Sequence, residues 1–291
     1  MLKLSDEEFR KVQLAELELL KEVDRICSKH NIRYCIIAGT LLGAVRHGGF
    51  IPWDDDADVA LLRGDYEKFR KACKTELKGR PFYFQDDRNT VGYRWGYGKL
   101  RIKDSVFRRE HQEDMPYPQG ICIDVFPMDG VPDFLPARVW KDLECFCVRK
   151  LLWSKTGAGT EKNPVKKQIY KIMRRMPEKK AKGIYHDLIR RAGKRTKYVR
   201  ILMFPTGNQT RGYKRSWYAR TADIRFEGVT FRGIADFRGY LEFKFGDYMK
   251  YPPLEDRVKK QHPVTALKFP GEELRMEETD YDRNGGSIKM I

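Results

Sequence analysis

Asp54, Asp55, Asp56 and Asp58 place four carboxylates in five consecutive positions, between two apolar runs. Like charges this close need a cation, a cluster of Lys and Arg, or open water. The flanks narrow the choice. Tyr34 to Ala38 suits a short buried strand, and Val59 to Leu62 suits another. Side chains two apart on a strand share a face, so Asp56 and Asp58 point one way while Ala57 and Val59 enter a core. A pair of hard oxygen ligands at the mouth of a strand suits Mg²⁺, which takes carboxylates together with substrate phosphates. Upstream, Gly39 and Thr40 open a short helix over Leu41 to Arg46, and amides at a helix start welcome an anion. A solvated acidic turn is the plainer alternative, but it leaves the flanking strands and the Gly-Thr helix start without a role.

Gly39-Thr40, a spacer, and Asp56-Ala57-Asp58 between apolar residues resemble the nucleotidyltransferase fold. The longer string from Gly39 to His47 (GTLLGAVRH), followed by Gly49 to Asp58 (GFIPWDDDAD), is similar to the signature of the LicD family. That family includes phosphocholine transferases and is related to the fukutin-type polyol-phosphate transferases. The expected fold class is therefore α/β (α+β): a nucleotidyltransferase-like mixed β-sheet core flanked by helices, with a helical basic insertion.

The chain has 291 residues, enough for one large or two small domains, and 41% of them are hydrophobic. A net charge of +17 implies anionic partners such as a nucleotide, a phosphate-bearing polymer, a membrane surface or nucleic acid. The six cysteines (Cys27, Cys35, Cys73, Cys122, Cys145 and Cys147) have no CxxC spacing, and several lie in apolar runs. With no signal peptide evident, a reducing cytoplasm is the expected location, with peripheral contact at the inner face of the membrane. No apolar run approaches the roughly 18 residues of a membrane span.

In chain order, residues 5–29 read as a helix with a capping box at Ser5 and Glu8. A second helix runs from Arg63 to about Leu77, and Pro81 to Gln85 is a short strand. Trp95 to Lys103 alternates as a strand, with Lys99, Arg101 and Lys103 on one side. In Gly120 to Asp129 a single carboxylate, Asp124, stands inside an apolar strand, where it needs a partner or a metal. Asp129 reads as a turn cap beyond that strand. Residues 136–194 read as two or three helices, broken near Gly157–Pro164 and Pro177. From Lys162 to Arg200 fifteen Lys/Arg face only Glu178 and Asp187, a basic surface suited to an anionic acceptor or lipid head groups. Tyr198 to Phe204 and a stretch around Glu227-Gly228 read as strands, and Ile234 to Phe245 as a helix. Phe245 to Pro253 and His262-Pro263 resemble the C-terminal signature of the family. The expected division is a catalytic core over 1–135, a basic helical region over 136–200, a part completing the core over 201–270, and a polar tail over 271–291.

The resemblance implies transfer of a phospho-alcohol from a CDP-linked alcohol donor to a hydroxyl of a glycan or lipid-linked glycan, releasing CMP. It assigns Asp56, Asp58 and Asp124 to catalysis and to Mg²⁺ (or Mn²⁺). Phosphate contacts are expected from Gly39, Thr40, Arg46, Lys99, Arg101 and His262, and the acceptor proton from Asp124 or Asp54. No nucleic acid is expected as partner. A nucleotidyltransferase that adds NMP and releases pyrophosphate, and a non-enzymatic basic protein binding nucleic acid or membrane, are the two alternatives.

Overall fold

A computed structural model describes residues 2–206, 210–258 and 262–276. The chain opens with α1 (Asp6–Lys29), closed at its start by both halves of the capping box. The Ser5 hydroxyl accepts from the Glu8 amide at 3.2 Å, and the Glu8 carboxylate accepts from the Ser5 amide at 2.9 Å. The apolar stripe of Val12, Leu19, Leu20, Val23 and Ile26 is fully buried. After β1 (Cys35–Ile36), α2 (Ala38–His47) begins earlier than its sequence pattern suggests. Ala38 adopts a left-handed φ of 51°, which ends the extended run and turns the chain into the helix.

β2 (Asp58–Leu62) passes directly into α3 (Arg63–Glu76). Then come β3 (Phe82–Gln85), β4 (Gly98–Ile102), β5 (Val106–Arg109) and the long β6 (Cys122–Val131). Three helices follow: α4 (Leu135–Thr160), α5 (Pro164–Met173) and α6 (Glu178–Arg190). The chain returns through β7 (Tyr198–Arg200), β8 (Tyr213–Lys214), α7 (Arg215–Ala219), β9 (Thr221–Phe226) and β10 (Val229–Ile234). It closes with α8 (Phe237–Phe245), α9 (Leu254–Val258), β11 (Val264–Lys268) and β12 (Arg275–Met276).

The main sheet runs β3-β4-β6-β2-β1-β10-β9, with β7 and β8 continuing from the far half of β6. β2 is parallel to β6 and β1 to β10, and the other pairs are antiparallel. This is the mixed α+β sheet with flanking helices that the sequence predicts. Residues of β9 and β10, late in the chain, complete the sheet beside β1. α1 and α3 pack on each other and on β6, while α2 packs on α8 and β9. Val59, Ala60, Leu61, Ile123 and Val125 sit at the centre of the core, covered on both faces, which is why β2 and β6 read as nearly continuous apolar runs. A second cluster, with Cys145, Val148, Leu152, Tyr185 and Leu188, holds α4 and α6 together. β5, β11 and β12 form a small separate sheet.

Other details differ from the sequence reading. The helix expected from Ile234 starts at Phe237, because Ile234 is the last residue of β10. The stretch around Glu227-Gly228 is not a strand but the turn of the β9–β10 hairpin, with both residues at positive φ (52° and 74°). Glu at the first turn position, in place of Asn or Asp, hides that signal. β7 stops at Arg200, whose fully buried guanidinium pairs with Asp142 and donates to the Phe204 carbonyl at 3.0 Å, drawing the chain into a turn. α4 runs through Gly157 because its missing side chain admits the Tyr170 ring of α5. Asp129 lies inside β6 and is gripped by Arg63 at 2.7 and 2.6 Å, rather than capping a turn.

Candidate active site

The acidic motif is assembled by strand register. β2 runs parallel to β6 with Asp58 paired to Asp124, and β4 runs antiparallel on the other side of β6 with Lys99 opposite Asp124. Asp58, Asp124 and Lys99 therefore form a row across three neighbouring strands, each about 4.8 Å from the next. Lys99 Nζ makes an ion pair with Asp124. Backbone bonds hold the row at the strand mouths. The Asp58 amide donates to the Thr40 hydroxyl at 2.8 Å, and the Asp124 amide donates to the Ala57 carbonyl at 3.0 Å.

The loop delivering the acids is fastened from three sides. Gln13 on α1 donates to the carbonyls of Ile51 (3.3 Å) and Asp54 (3.0 Å). Glu227, from the hairpin turn, accepts from the Phe50 amide at 2.9 Å and is itself held by Arg10. Gly43 on α2 packs backbone to backbone on the loop: a side chain there would run into the Gly49 carbonyl and lie 3.2 Å from the Ile51 amide. Gly39 likewise leaves room for Asp54, whose Oδ2 would stand 2.5 Å from an added Cβ.

Negative charge accumulates here. Burial pushes the Asp58 carboxyl well above its usual range, and Asp56, Asp124 and Asp54 push it further, opposed by Lys244 of α8. Asp55 differs. Burial would raise it, but a hydrogen bond from His262 and the charge of Arg109 leave it lower than usual. His262 meets Asp55 through Nδ1 at 2.7 Å and through its amide at 3.1 Å. Arg109, deeply set on β5, is held charged against its burial by Asp55, Asp56 and Asp124. The small sheet thus supplies Arg109 to this side of the loop and holds His262 close by, since Arg109 pairs in register with Val264, two residues beyond His262.

The structure does not gather every expected residue. Arg101 is 2% exposed and spends its guanidinium on Gln85 Oε1 at 2.8 Å and on the Gly120 carbonyl. It stands opposite Cys122, one full strand repeat beyond the acidic row, so sharing a face with Lys99 does not bring it to the acids. Arg46 donates to the carbonyls of Tyr248 (2.8 Å) and Lys250 (3.3 Å) and lies over the Tyr251 ring, bracing the C-terminal loop. Lys103 donates to the Arg80 carbonyl at the surface. Gly39 and Thr40 sit in the first turn of α2, where helical amides lack an intrahelical acceptor.

The expected grip of Asp56, Asp58 and Asp124 on one ion is not preformed. Among the described residues, no three His, Cys, Asp or Glu side chains stand in a ready-made metal arrangement, and Asp124 is turned to Lys99. The donor set still fits a hard divalent cation: the ligands are all oxygens, Asp58 and Asp124 are in register, and added positive charge would relieve the repulsion that raises Asp58.

Two residues escape the sequence reading. Arg109 carries no local signal. Glu16 does: it falls inside the apolar stripe of α1, between Val12 and Leu19–Leu20. It is 1% exposed, and neither carboxylate oxygen has a hydrogen-bond partner. Burial raises its pKa well above the usual range, with Asp56 and Asp55 adding to the effect and Arg109 opposing it.

Residues 31–144 match the family described as LicD/FKTN/FKRP, nucleotidyltransferase domain. Over that segment the chain is similar to the LicD family. The matched segment contains the whole acidic row. The chain is 28% identical over 260 residues to the lipopolysaccharide cholinephosphotransferase LicD of Haemophilus influenzae, covering 88% of this chain and 96% of that protein. It is 25% identical over 130 residues to the ribitol 5-phosphate transferase FKRP of Mus musculus, covering 43% of this chain and 24% of that protein. An uncharacterized protein of Rickettsia prowazekii is 44% identical over 68 residues, 21% of this chain and 26% of that one. Among the described residues, no helix is long and apolar enough to cross a membrane.

Proposed function

We propose that this chain is a LicD-like enzyme that transfers a phospho-alcohol, phosphocholine or a polyol phosphate, from a CDP-linked donor to a hydroxyl of a glycan, releasing CMP. The observation that carries the reading is the cross-strand row of Asp58, Asp124 and Lys99, beside Asp56 and in the segment that matches this family. The named activities of the Haemophilus and mouse relatives, cholinephosphotransferase and ribitol 5-phosphate transferase, supply the class of group transferred.

Phosphoryl-group transfer asks a protein chiefly for positioning and charge neutralisation. Asp56, Asp58 and Asp124 would hold Mg²⁺ or Mn²⁺, and the ion would neutralise the donor diphosphate as a Lewis acid. Lys99, beside Asp124, is placed to shift from the carboxylate to a phosphate oxygen once the site carries added positive charge. The first-turn amides of Gly39 and Thr40 offer donors to a phosphate. Asp55 is engaged by His262 and Arg109 and serves as the fixed anchor of the loop. Asp124 or Asp54 would take the acceptor proton.

Mass spectrometry of products from a panel of CDP-alcohols, with a glycan acceptor, tests the reading. The expected result is CMP together with a phospho-alcohol on the glycan, lost in Asp58→Asn and Asp124→Asn while the fold persists. Pyrophosphate release from a nucleoside triphosphate, with nucleotide left on the acceptor, would overturn it.

A further inference from the structure

The basic helical region has a second property that its charge alone does not disclose. On α4, Trp140, Leu143 and Phe146 are exposed, and on α5 so are Val165, Ile169 and Ile172. Their exposures run from 45% for Phe146 to 68% for Val165, far above what packing against this chain would leave. The α5 residues recur at i, i+4 and i+7, which makes one stripe along the helix. α4 and α5 pack on each other through Gly157 and Tyr170, and a shallow apolar groove joins Cys147 of α4 to Ile172 of α5. The two exposed stripes therefore form one ridge.

Cations fringe this ridge. Lys166 is exposed on α5 next to Val165, and Arg175, just past the helix end, is exposed and lines the groove with Ile172. Lys171, Arg174, Lys179 and Lys180 are exposed nearby. None of these six has a carboxylate partner within 4 Å among the described residues, whereas Lys141, Lys182 and Arg191, elsewhere in the region, all do. Lys150 Nζ lies over the Phe146 ring at 5.5 Å and the Tyr170 ring at 5.8 Å, adding a cation beside the exposed apolar residues.

We infer that the α4–α5 ridge docks this protein onto an anionic lipid surface. An apolar stripe flanked by uncompensated Lys and Arg fits an anionic membrane interface, the side chains entering the acyl boundary while the cations meet head groups. A neutral protein partner would leave those cations unpaired, and nucleic acid would have no use for the aliphatic stripe. The inference rests on this surface and not on the reaction, so its failure leaves the transferase reading untouched.

Co-sedimentation of the full chain with vesicles tests it, comparing pure phosphatidylcholine with a mixture containing phosphatidylglycerol. The wild type is expected to pellet with the anionic vesicles and not with the neutral ones, and added salt should weaken binding. Ile169→Glu/Ile172→Glu should reduce binding at least about tenfold by removing the inserted stripe. Lys171→Glu/Arg175→Glu should reduce it similarly. All four positions are exposed, so circular dichroism should remain that of the wild type. Equal binding to neutral vesicles, no binding to anionic ones, or unchanged binding by the Ile169→Glu/Ile172→Glu variant would overturn the inference. So would a concentration-dependent dimer in gel filtration that this variant abolishes, since the ridge would then serve a second copy.

Discussion

Glu16 is a carboxylate set where a leucine would be expected, and its surroundings dictate how the fold responds to pH. Folded, it is buried near Asp55 and Asp56 and favours its neutral form; unfolded, it titrates near the usual value of about 4.3. A group that holds its proton more tightly in the folded state lowers stability as pH rises from the unfolded value through the folded one. Glu16→Gln, which keeps the shape and cannot ionise, should match the wild type near pH 4 and exceed it by about 1–3 kcal/mol near pH 8. Urea midpoints at the two pH values check this, and a variant weaker than wild type near pH 8 would mean that the charge is paired. Asp55 has the opposite sign: its lowered folded pKa contributes stability above the unfolded value of about 3.9, lost as pH falls through the folded one. At this scale the sequence is informative wherever a residue contradicts its own local pattern. Asp124 in an apolar strand and Asp56 with Asp58 before another stand out for that reason. Glu16 contradicts its helix just as plainly, but only the tertiary structure shows that it is near the same cluster.

β2 and α3 are joined without a loop, and the joint carries a buried ion pair. Arg63, the first residue of α3, reaches across to Asp129 on β6, which is 1% exposed. Burial works against the guanidinium charge, and Asp129 more than restores it. The pair ties the far end of β2 to the strand bearing Asp124, so it keeps the register that places Asp58 beside Asp124. Arg63→Ala leaves a buried carboxylate unpaired and should cost about 3–5 kcal/mol. Arg63→Leu combined with Asp129→Leu should recover most of that loss, as measured by chemical denaturation. Equal losses in the single and double variants would show that packing, not charge, is what matters at the joint. Elements with strong local signals, such as α1 with its capping box, are legible from the chain alone. What local pattern cannot express is pairing. Arg109 reaches the site because β5 pairs with β11, more than 150 residues later in the chain, and no feature near Arg109 announces that. The β9–β10 hairpin is hidden for a related reason, since Glu227 occupies a turn position where the usual signal is Asn or Asp.

The whole molecule combines a net charge of +17 with a cluster of crowded carboxylates. The surrounding positive field favours approach of an anionic donor, while the cluster itself repels one until its own charge is offset. Binding of a divalent cation and stability of the fold should therefore be linked. A ligand that binds only the folded chain stabilises it by about 2.7 kcal/mol at a hundredfold excess over its Kd. For a chain of this size that should raise Tm by several degrees in Mg²⁺ or Mn²⁺, at about 2–4 °C per kcal/mol. Asp58→Asn separates this effect from general salt screening. Losing one of several repelling carboxylates should leave the metal-free variant at least as stable as the wild type, while the increment from Mg²⁺ shrinks to that from an equal ionic strength of NaCl. The same variant should be inactive, so stability and turnover move in opposite directions, as they do where a site concentrates like charge for function. If Asp58→Asn kept the full Mg²⁺ increment, the cation would be binding elsewhere, and the crowding of Asp54, Asp56, Asp58 and Asp124 would need another source of compensation. Lys99, Arg109 and Lys244, which already interact with these acids, are placed to provide it.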